Sequence, residues 1–391
     1  MTTISRFPHL ATTAVHAGRA DLRDLGVHAL PIDLSTTNPL ADVESGGAAY
    51  DNLCAGNRPR PGDSQVYARL WNPTVARFEE AVAALEGAEE AAAFASGMAA
   101  LSALLTAIVA QGTPHVVAIR PIYGGSDHLL NSGLLGTDVS FVAAGDVAAA
   151  ITPRTGLVIL ESPGNPTLDL VDISSVVAAA GDVPVLVDNT FATPVLQRPL
   201  EHGARFVMHS ATKHLGGHGD AMGGVLVGDA DLMSMVRPIR AITGGILHPL
   251  GAYLLHRGLA TLPIRVARQQ ETAIAVATEL AGHAAVARAL HPSLPGQDPL
   301  GLLDRQMSGP GSVLAIELRG GYEAAATVAK RVRLITHAVS LGGVDTLIQH
   351  PAGLTHRPVI AGARPSEAIL RISIGLEDPR DLLADLRQAL S

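Results

Sequence analysis

The sequence predicts an α/β fold, a mostly parallel, doubly wound central sheet followed by a smaller C-terminal α+β unit. Three observations carry this. From about Asn72 to Gly228, short β-branched runs alternate with alanine-rich helical stretches, the pattern of parallel strands joined by crossover helices. The chain has 391 residues, more than a single core usually fills. A Pro/Gly-marked region (HPLGAY, then TLPIR) separates the alternating pattern from a second one that runs to the end.

Residues 1–64 lack periodicity and are rich in turn formers such as Asn57, Pro59, Pro61 and Gly62. They are expected to form an extended arm against a neighbouring subunit. Residues 65–250 form the large ligand-binding domain. Its helices are expected from Pro73 to Leu85, with Asn72 as cap and Pro73 in the first turn, and from Gly97 to Ala110. Its strands are VVAI (116–119), VSFV (139–142), LVIL (157–160), VPVLV (183–187), FVMH (206–209) and VLVG (225–228). Residues 251–391 form the second domain, closed by the amphipathic helix DPRDLLADLRQAL.

Composition removes several function classes. With 47% hydrophobic and 16% charged residues the chain is globular, and its net charge of -8 without a basic run argues against nucleic acid. The apolar runs are too short or too broken to span a bilayer, and the N-terminus lacks a signal-peptide layout, so a cytoplasmic location away from membranes is expected. The single cysteine, Cys54, excludes an internal disulfide and a thiolate zinc site. No GxGxxG follows a strand and no GxxxxGK[ST] occurs, so nicotinamide and nucleoside-triphosphate sites lack their phosphate loops.

The densest cluster of chemical residues is HSATKHLGGHGD (209–220), which places Lys213 just after a strand end in a glycine-rich loop. Alone, it is most simply a solvated lysine. Asp188, which ends the strand VPVLV, changes that: a carboxylate there can keep a pyridine nitrogen protonated and turn the ring into an electron sink. The run Ala95-Ser96-Gly97-Met98-Ala99 opens a helix and suits a phosphate. Ser210 and Thr212, alternate residues beside the lysine, add two hydroxyls on one face. The histidines of the loop, His209, His214 and His218, straddle a Gly-Gly turn and are not expected to hold a metal.

On these residues, and on STT (35–37), VYARLWNPT (66–74), IYGGS (122–126), ESPGNPTL (161–168), SLGGVDTLIQHPAGLTH (340–356) and LRISIGLED (370–378), the chain resembles the Cys/Met-metabolism enzymes that depend on pyridoxal 5′-phosphate (PLP). The resemblance implies a fold-type I PLP enzyme in which Lys213 carries the cofactor as a Schiff base and Asp188 pairs with its ring nitrogen. Tyr123 then stacks on the ring and protonates the leaving group, while Gly97, Met98, Ser210 and Thr212 hold the phosphate. Tyr67 and Arg69 reach the phosphate of the neighbouring subunit, which implies an active dimer paired into a homotetramer. Arg371 clamps the substrate carboxylate, helped by Ser340 and Asn165.

Within that family the pocket separates the activities. Val339, before Ser340, stands where cystathionine-handling members carry a glutamate, and its apolar side chain suits methionine or a homocysteine-like substrate. The expected reaction is γ-elimination to 2-oxobutanoate, ammonia and a thiol, as in methionine γ-lyases. The alternatives are γ-replacement, of the cystathionine γ-synthase or O-acetylhomoserine sulfhydrylase type, and cystathionine γ-lysis. Gly125 and Arg240-Ala241 depart from the cysteine and the lysine–aspartate pair usual in methionine γ-lyases. The segment 48–65, with Cys54 as a loop residue, is longer than usual.

Overall fold

The computed structural model describes residues 9–391; the first eight residues of the expected arm lie outside them. The large sheet has seven strands: β1 Glu90–Phe94, β2 His115–Ile119, β3 Asp138–Val142, β4 Thr155–Glu161, β5 Val185–Asp188, β6 Phe206–Ser210 and β7 Gly224–Gly228, in the order β1-β7-β6-β5-β4-β2-β3. From β3 to β6 the neighbours are parallel, and β7 is antiparallel to both β6 and β1. All six strands read from the sequence are present. The run 183–187 pairs only from Val185, since Pro184 has no N–H to offer a ladder. β1 was not foreseen, because EAAAF carries no β-branched residue and reads as helix.

Both faces of the sheet are buried, as crossover helices require. Alternation along each strand sends Ala118, Ile159 and Leu186 to one side, where Leu101, Leu104 and Ile108 of the helix Gly97–Ala110 pack on them. Val117, Val158, Leu160 and Val187 face the other side and the helix Ile173–Ala180. Each such buried Leu, Ile or Val contributes about 1.5–3 kcal/mol. The helix Pro73–Glu86 begins as expected, with the Asn72 side chain accepting from Thr74 and Val75 N–H, and ends on Gly87 at φ 75°.

The second sheet, β8 Val286–Leu290, β9 Val313–Leu318, β10 Thr336–His337, β11 Leu347–Gln349 and β12 Ile369–Ser373, has the order β10-β11-β12-β9-β8. Helices Leu262–Ala281 and Pro379–Leu390 bury Val276, Leu280, Leu382 and Leu386 against its Leu314, Ile316 and Ile372.

The N-terminal segment is less extended than its turn residues suggested. It carries helices Leu10–His16 and Val43–Cys54, the latter capped by Asp42 accepting from Ser45 N–H at 2.7 Å. Gly46 and Gly47 disguise that second helix, each disfavouring it by about 1 kcal/mol relative to alanine. Among the described residues no helix is long and apolar enough to cross a membrane.

Candidate active site

The carboxyl ends of β4, β5 and β6 bring Glu161, Asp188 and Ser210 to one rim, where ligands of open α/β sheets bind. After Ser210 the chain coils: Lys213 N–H donates to Ser210 O (3.1 Å), Gly216 N–H to Ala211 O (2.9 Å) and Gly217 N–H to Lys213 O (2.8 Å). Arg265 pins this loop from below, donating to His214 O at 2.8 Å and Gly258 O at 2.7 Å. Lys213 is thereby aimed at the second sheet's loop, where its Nζ donates to Ser340 Oγ at 2.7 Å. Burial first, and the nearby Arg371 second, pull its amine down to about 8.

Arg371, on β12 and only 3% exposed, is fully wired. Its two terminal nitrogens donate to Asn165 Oδ1 at 2.9 Å and to Ser340 O at 2.8 Å. The Gln349 amide, oriented with its oxygen inward, accepts from Arg371 at 2.8 and 3.1 Å. Ser340 thus joins lysine and arginine, its hydroxyl serving one and its carbonyl the other. It does so at φ 100°, a conformation that costs a non-glycine residue about 1–3 kcal/mol.

Asp188 and Glu161 are register neighbours on β5 and β4. Burial raises the Asp188 carboxyl, opposed by the Thr190 hydroxyl (2.5 Å) and N–H (3.0 Å) that it accepts from. Burial, then the Asp188 charge, raises Glu161 further. Glu161 accepts the Tyr123 N–H at 2.7 Å, a structural role. Tyr123 stands at the start of the helix Gly124–Asn131 and is 38% exposed. A Cβ on Gly125 would stand 2.5 Å from that ring, so a larger residue there requires the tyrosine to swing aside.

Ser96 caps the helix Gly97–Ala110 by accepting from Ala99 N–H at 3.1 Å. The Gly97 and Met98 amides are left at the helix start, where anions are favoured. This turn presses on β6 and β7, for a Cβ on Gly97 would lie 3.2 Å from Ser210 Cα and one on Gly224 only 2.2 Å from Ser96 O. Ser210 therefore stands beside these amides. Thr212 does not share an extended face with it: the residue lies in the turn, and its hydroxyl exchanges hydrogen bonds with Gly223 N–H (3.1 Å) and O (3.2 Å).

Two residues stand apart. Tyr67 bridges to Thr37 and is 42% exposed. Arg69 donates to Ala241 O at 2.5 Å, its guanidinium 5.5 Å from the Tyr67 ring. Among the described residues no hydrogen bond or ion pair links either to Lys213, Asp188 or Ser210. Arg240 turns inward to Glu79 (2.6 Å) and Ala93 O (2.8 Å), supporting the sheet. The three loop histidines take separate partners: His209 Glu86, His214 Ser312 and Thr190 O, and His218 Gly216 O.

Sequence reasoning missed Thr190, Gln349 and His356. The motif Asp-x-Thr is a turn signal that could have found the first. His356, whose Nε2 lies 3.3 Å from Asn165 O, carries no local signal.

The donor set fits a phosphorylated pyridine aldehyde: an amine of lowered basicity, a carboxyl whose acidity is weakened by burial and would be restored by a cationic ring nitrogen, and a helix start for the phosphate. Known proteins agree. The profile of the Cys/Met metabolism PLP-dependent enzymes matches residues 11–391. The chain belongs to this family. It is therefore a PLP-dependent enzyme, with the fold-type I architecture of its relatives. An L-methionine gamma-lyase of Brevibacterium aurantiacum is 59% identical over 382 residues, 98% of this chain and 94% of the relative. Among solved structures, a cystathionine gamma lyase from Micromonospora echinospora superposes with TM-score 0.87 at 37% identity, covering 98% and 99%. A cystathionine gamma synthase from Xanthomonas oryzae pv. oryzae does so with TM-score 0.87 at 36%, covering 98% and 97%.

Proposed function

We propose that this enzyme eliminates the γ-substituent of methionine or a homocysteine-like amino acid, releasing a thiol, ammonia and 2-oxobutanoate. The observation that carries the reading is Val339, an apolar side chain 52% exposed beside the residue that holds Lys213. It gives a methyl thioether an apolar neighbour and offers no carboxylate to a distal ammonium. The naming of the 59%-identical relative supports the same reaction.

When bound, the cofactor supplies an aldehyde for the substrate amine and a ring that takes up the electron pair left at Cα. The chain's own groups do the rest. Arg371 receives the substrate carboxylate in its planar fork. Lys213, its basicity lowered by burial and Arg371, takes the proton from Cα and next works at Cβ. Asp188 holds the ring nitrogen's proton, and the Gly97 and Met98 amides with the Ser210 hydroxyl hold the phosphate, joined by Thr212 once its hydroxyl leaves Gly223. The exposed Tyr123 donates a proton to the departing sulfur. Asn165 and Ser340 keep Arg371 oriented, and their hydrogen bonds to it support that role.

The proposal includes a second copy of the chain. Tyr67 and Arg69, exposed or turned away from this chain's own rim, complete the phosphate site of a neighbour, in a dimer that pairs into a tetramer. One cysteine in 391 residues suits a reducing compartment, here the cytoplasm. The test is to offer methionine, homocysteine, cystathionine, and O-acetyl- or O-succinylhomoserine with cysteine, scoring 2-oxobutanoate and new thioethers. Rapid 2-oxobutanoate from methionine is expected. Thioether formation from a homoserine ester, with no 2-oxobutanoate from any sulfur substrate, would establish γ-replacement instead.

A further inference from the structure

Behind the rim lies a buried polar cluster that the mechanism does not use. His209 and Glu86 are both fully buried, and their Nε2 and Oε1 atoms lie 2.6 Å apart. The same Glu86 oxygen accepts from Asn189 Nδ2 at 2.9 Å. Asn189 exchanges hydrogen bonds with Gln197, which donates onward to Ser162 O at 2.8 Å. The members occupy a particular register. His209 precedes Ser210, Asn189 follows Asp188, and Ser162 follows Glu161, so each strand end places one residue in the site and its neighbour in the cluster. By alternation His209 lies on the Val207 side of β6, whereas Met208, the register partner of Asp188, lies on the site side.

A buried ion pair adds little net stability over an apolar pair of the same volume. Here one Glu86 oxygen and the His209 Nδ1 find no hydrogen-bond partner among the described residues, which makes the pair costlier still. What the cluster does provide is support for Asp188. Asn189 fixes the turn that begins at Asp188, and Glu86, held between His209 and Asn189, anchors that turn from behind.

We propose that Glu86 and His209 are positioning residues for the Asp188 carboxylate, holding it in place toward the cofactor's ring nitrogen from the opposite face of the sheet. The inference rests on the reading of Asp188 as the ring-nitrogen partner. The groups facing Asp188 are Thr190 from its own turn, Glu161 from β4 and His209 from β6; those facing His209 are Glu86, Asp188 and His214.

The experiment titrates apoprotein with PLP and with 1-deazapyridoxal 5′-phosphate, in which a C–H replaces the ring nitrogen, following the absorbance of the bound cofactor. His209→Gln and the near-isosteric Glu86→Gln are compared with the unaltered chain, with Asp188→Asn as the reference. A charged hydrogen bond to the ring nitrogen that loses its alignment when Asp188 is no longer held corresponds to about tenfold in PLP affinity. The expected result is a loss of about that size for PLP in both variants and less than about twofold for the deaza analogue. Equal weakening of both ligands, or of neither, overturns the proposal. If Asp188→Asn itself fails to discriminate between the ligands, the assignment of Asp188 falls, and this inference with it.

Discussion

The two ends of the site are finished to different degrees within one chain. At the carboxylate end, Arg371 is held by Asn165, Gln349 and Ser340, and Ser340 also holds Lys213. Every donor is aimed before any ligand arrives. At the phosphate end the chain supplies a helix start and Ser210, while Thr212 is engaged with Gly223 and Tyr67 and Arg69 point elsewhere. Preorganisation at the first end serves orientation of the substrate. Incompleteness at the second is what the proposed sharing of Tyr67 and Arg69 between subunits would make good.

The largest effect that can break this contrast comes from mixing inactive variants. Lys213→Ala is expected to lower kcat by at least about a thousandfold, as loss of a proton-transferring group does. Arg69→Ala is expected to weaken cofactor binding. Co-refolded in equal amounts, the two should regain about a quarter of normal activity, because half the symmetric dimers are mixed and each mixed dimer has one intact site. No recovery would mean that Arg69 serves its own subunit.

Next in size, Arg371→Lys replaces a fork by a point charge. A rise in KM of about a hundredfold for methionine with a smaller change in kcat is expected, the equivalent of losing one or two charged hydrogen bonds. Val339→Glu should cost about tenfold in kcat/KM for methionine and improve cystathionine, measured as the ratio of the two, since one pocket contact is worth about 1–3 kcal/mol.

The smallest effect is a pH-dependent one. In apoprotein the Lys213 amine, ordinarily near 10.5, sits at about 8. Between these values the unfolded chain binds a proton that the folded chain does not, so the stability contributed by Lys213 rises with pH through that window and is lowest below 8. Lys213→Met apoprotein should therefore melt a few degrees above the unaltered apoprotein at pH 7, and the gap should narrow toward pH 10 in calorimetric scans.

The contrast also governs what could be read in advance. Strands such as VVAI and LVIL announce themselves, because a sheet buried on both faces needs β-branched runs. β1 does not, since the alanines of EAAAF are selected by close packing against the helix Pro73–Glu86 and not by strand propensity. Lys213, Asp188 and the Ser96-Gly97-Met98 turn are local patterns and were legible. Arg371 and Ser340 lie far along the chain from Lys213, and only the resemblance implied their roles. Gln349 and His356 meet the site through tertiary packing alone. Thr212 was misplaced because the strand ends at Ser210, two residues earlier than an extended reading of the lysine loop supposed.

Ser340 receives Lys213 from the large sheet's loop and Arg371 from the small sheet's central strand β12, so this meeting point lies at a joint and not inside either body. Catalytic geometry here is a property of how two separately cored units are seated. Mild heat or denaturant that loosens the seat by an ångström should silence the enzyme while both sheets still give a native far-ultraviolet spectrum.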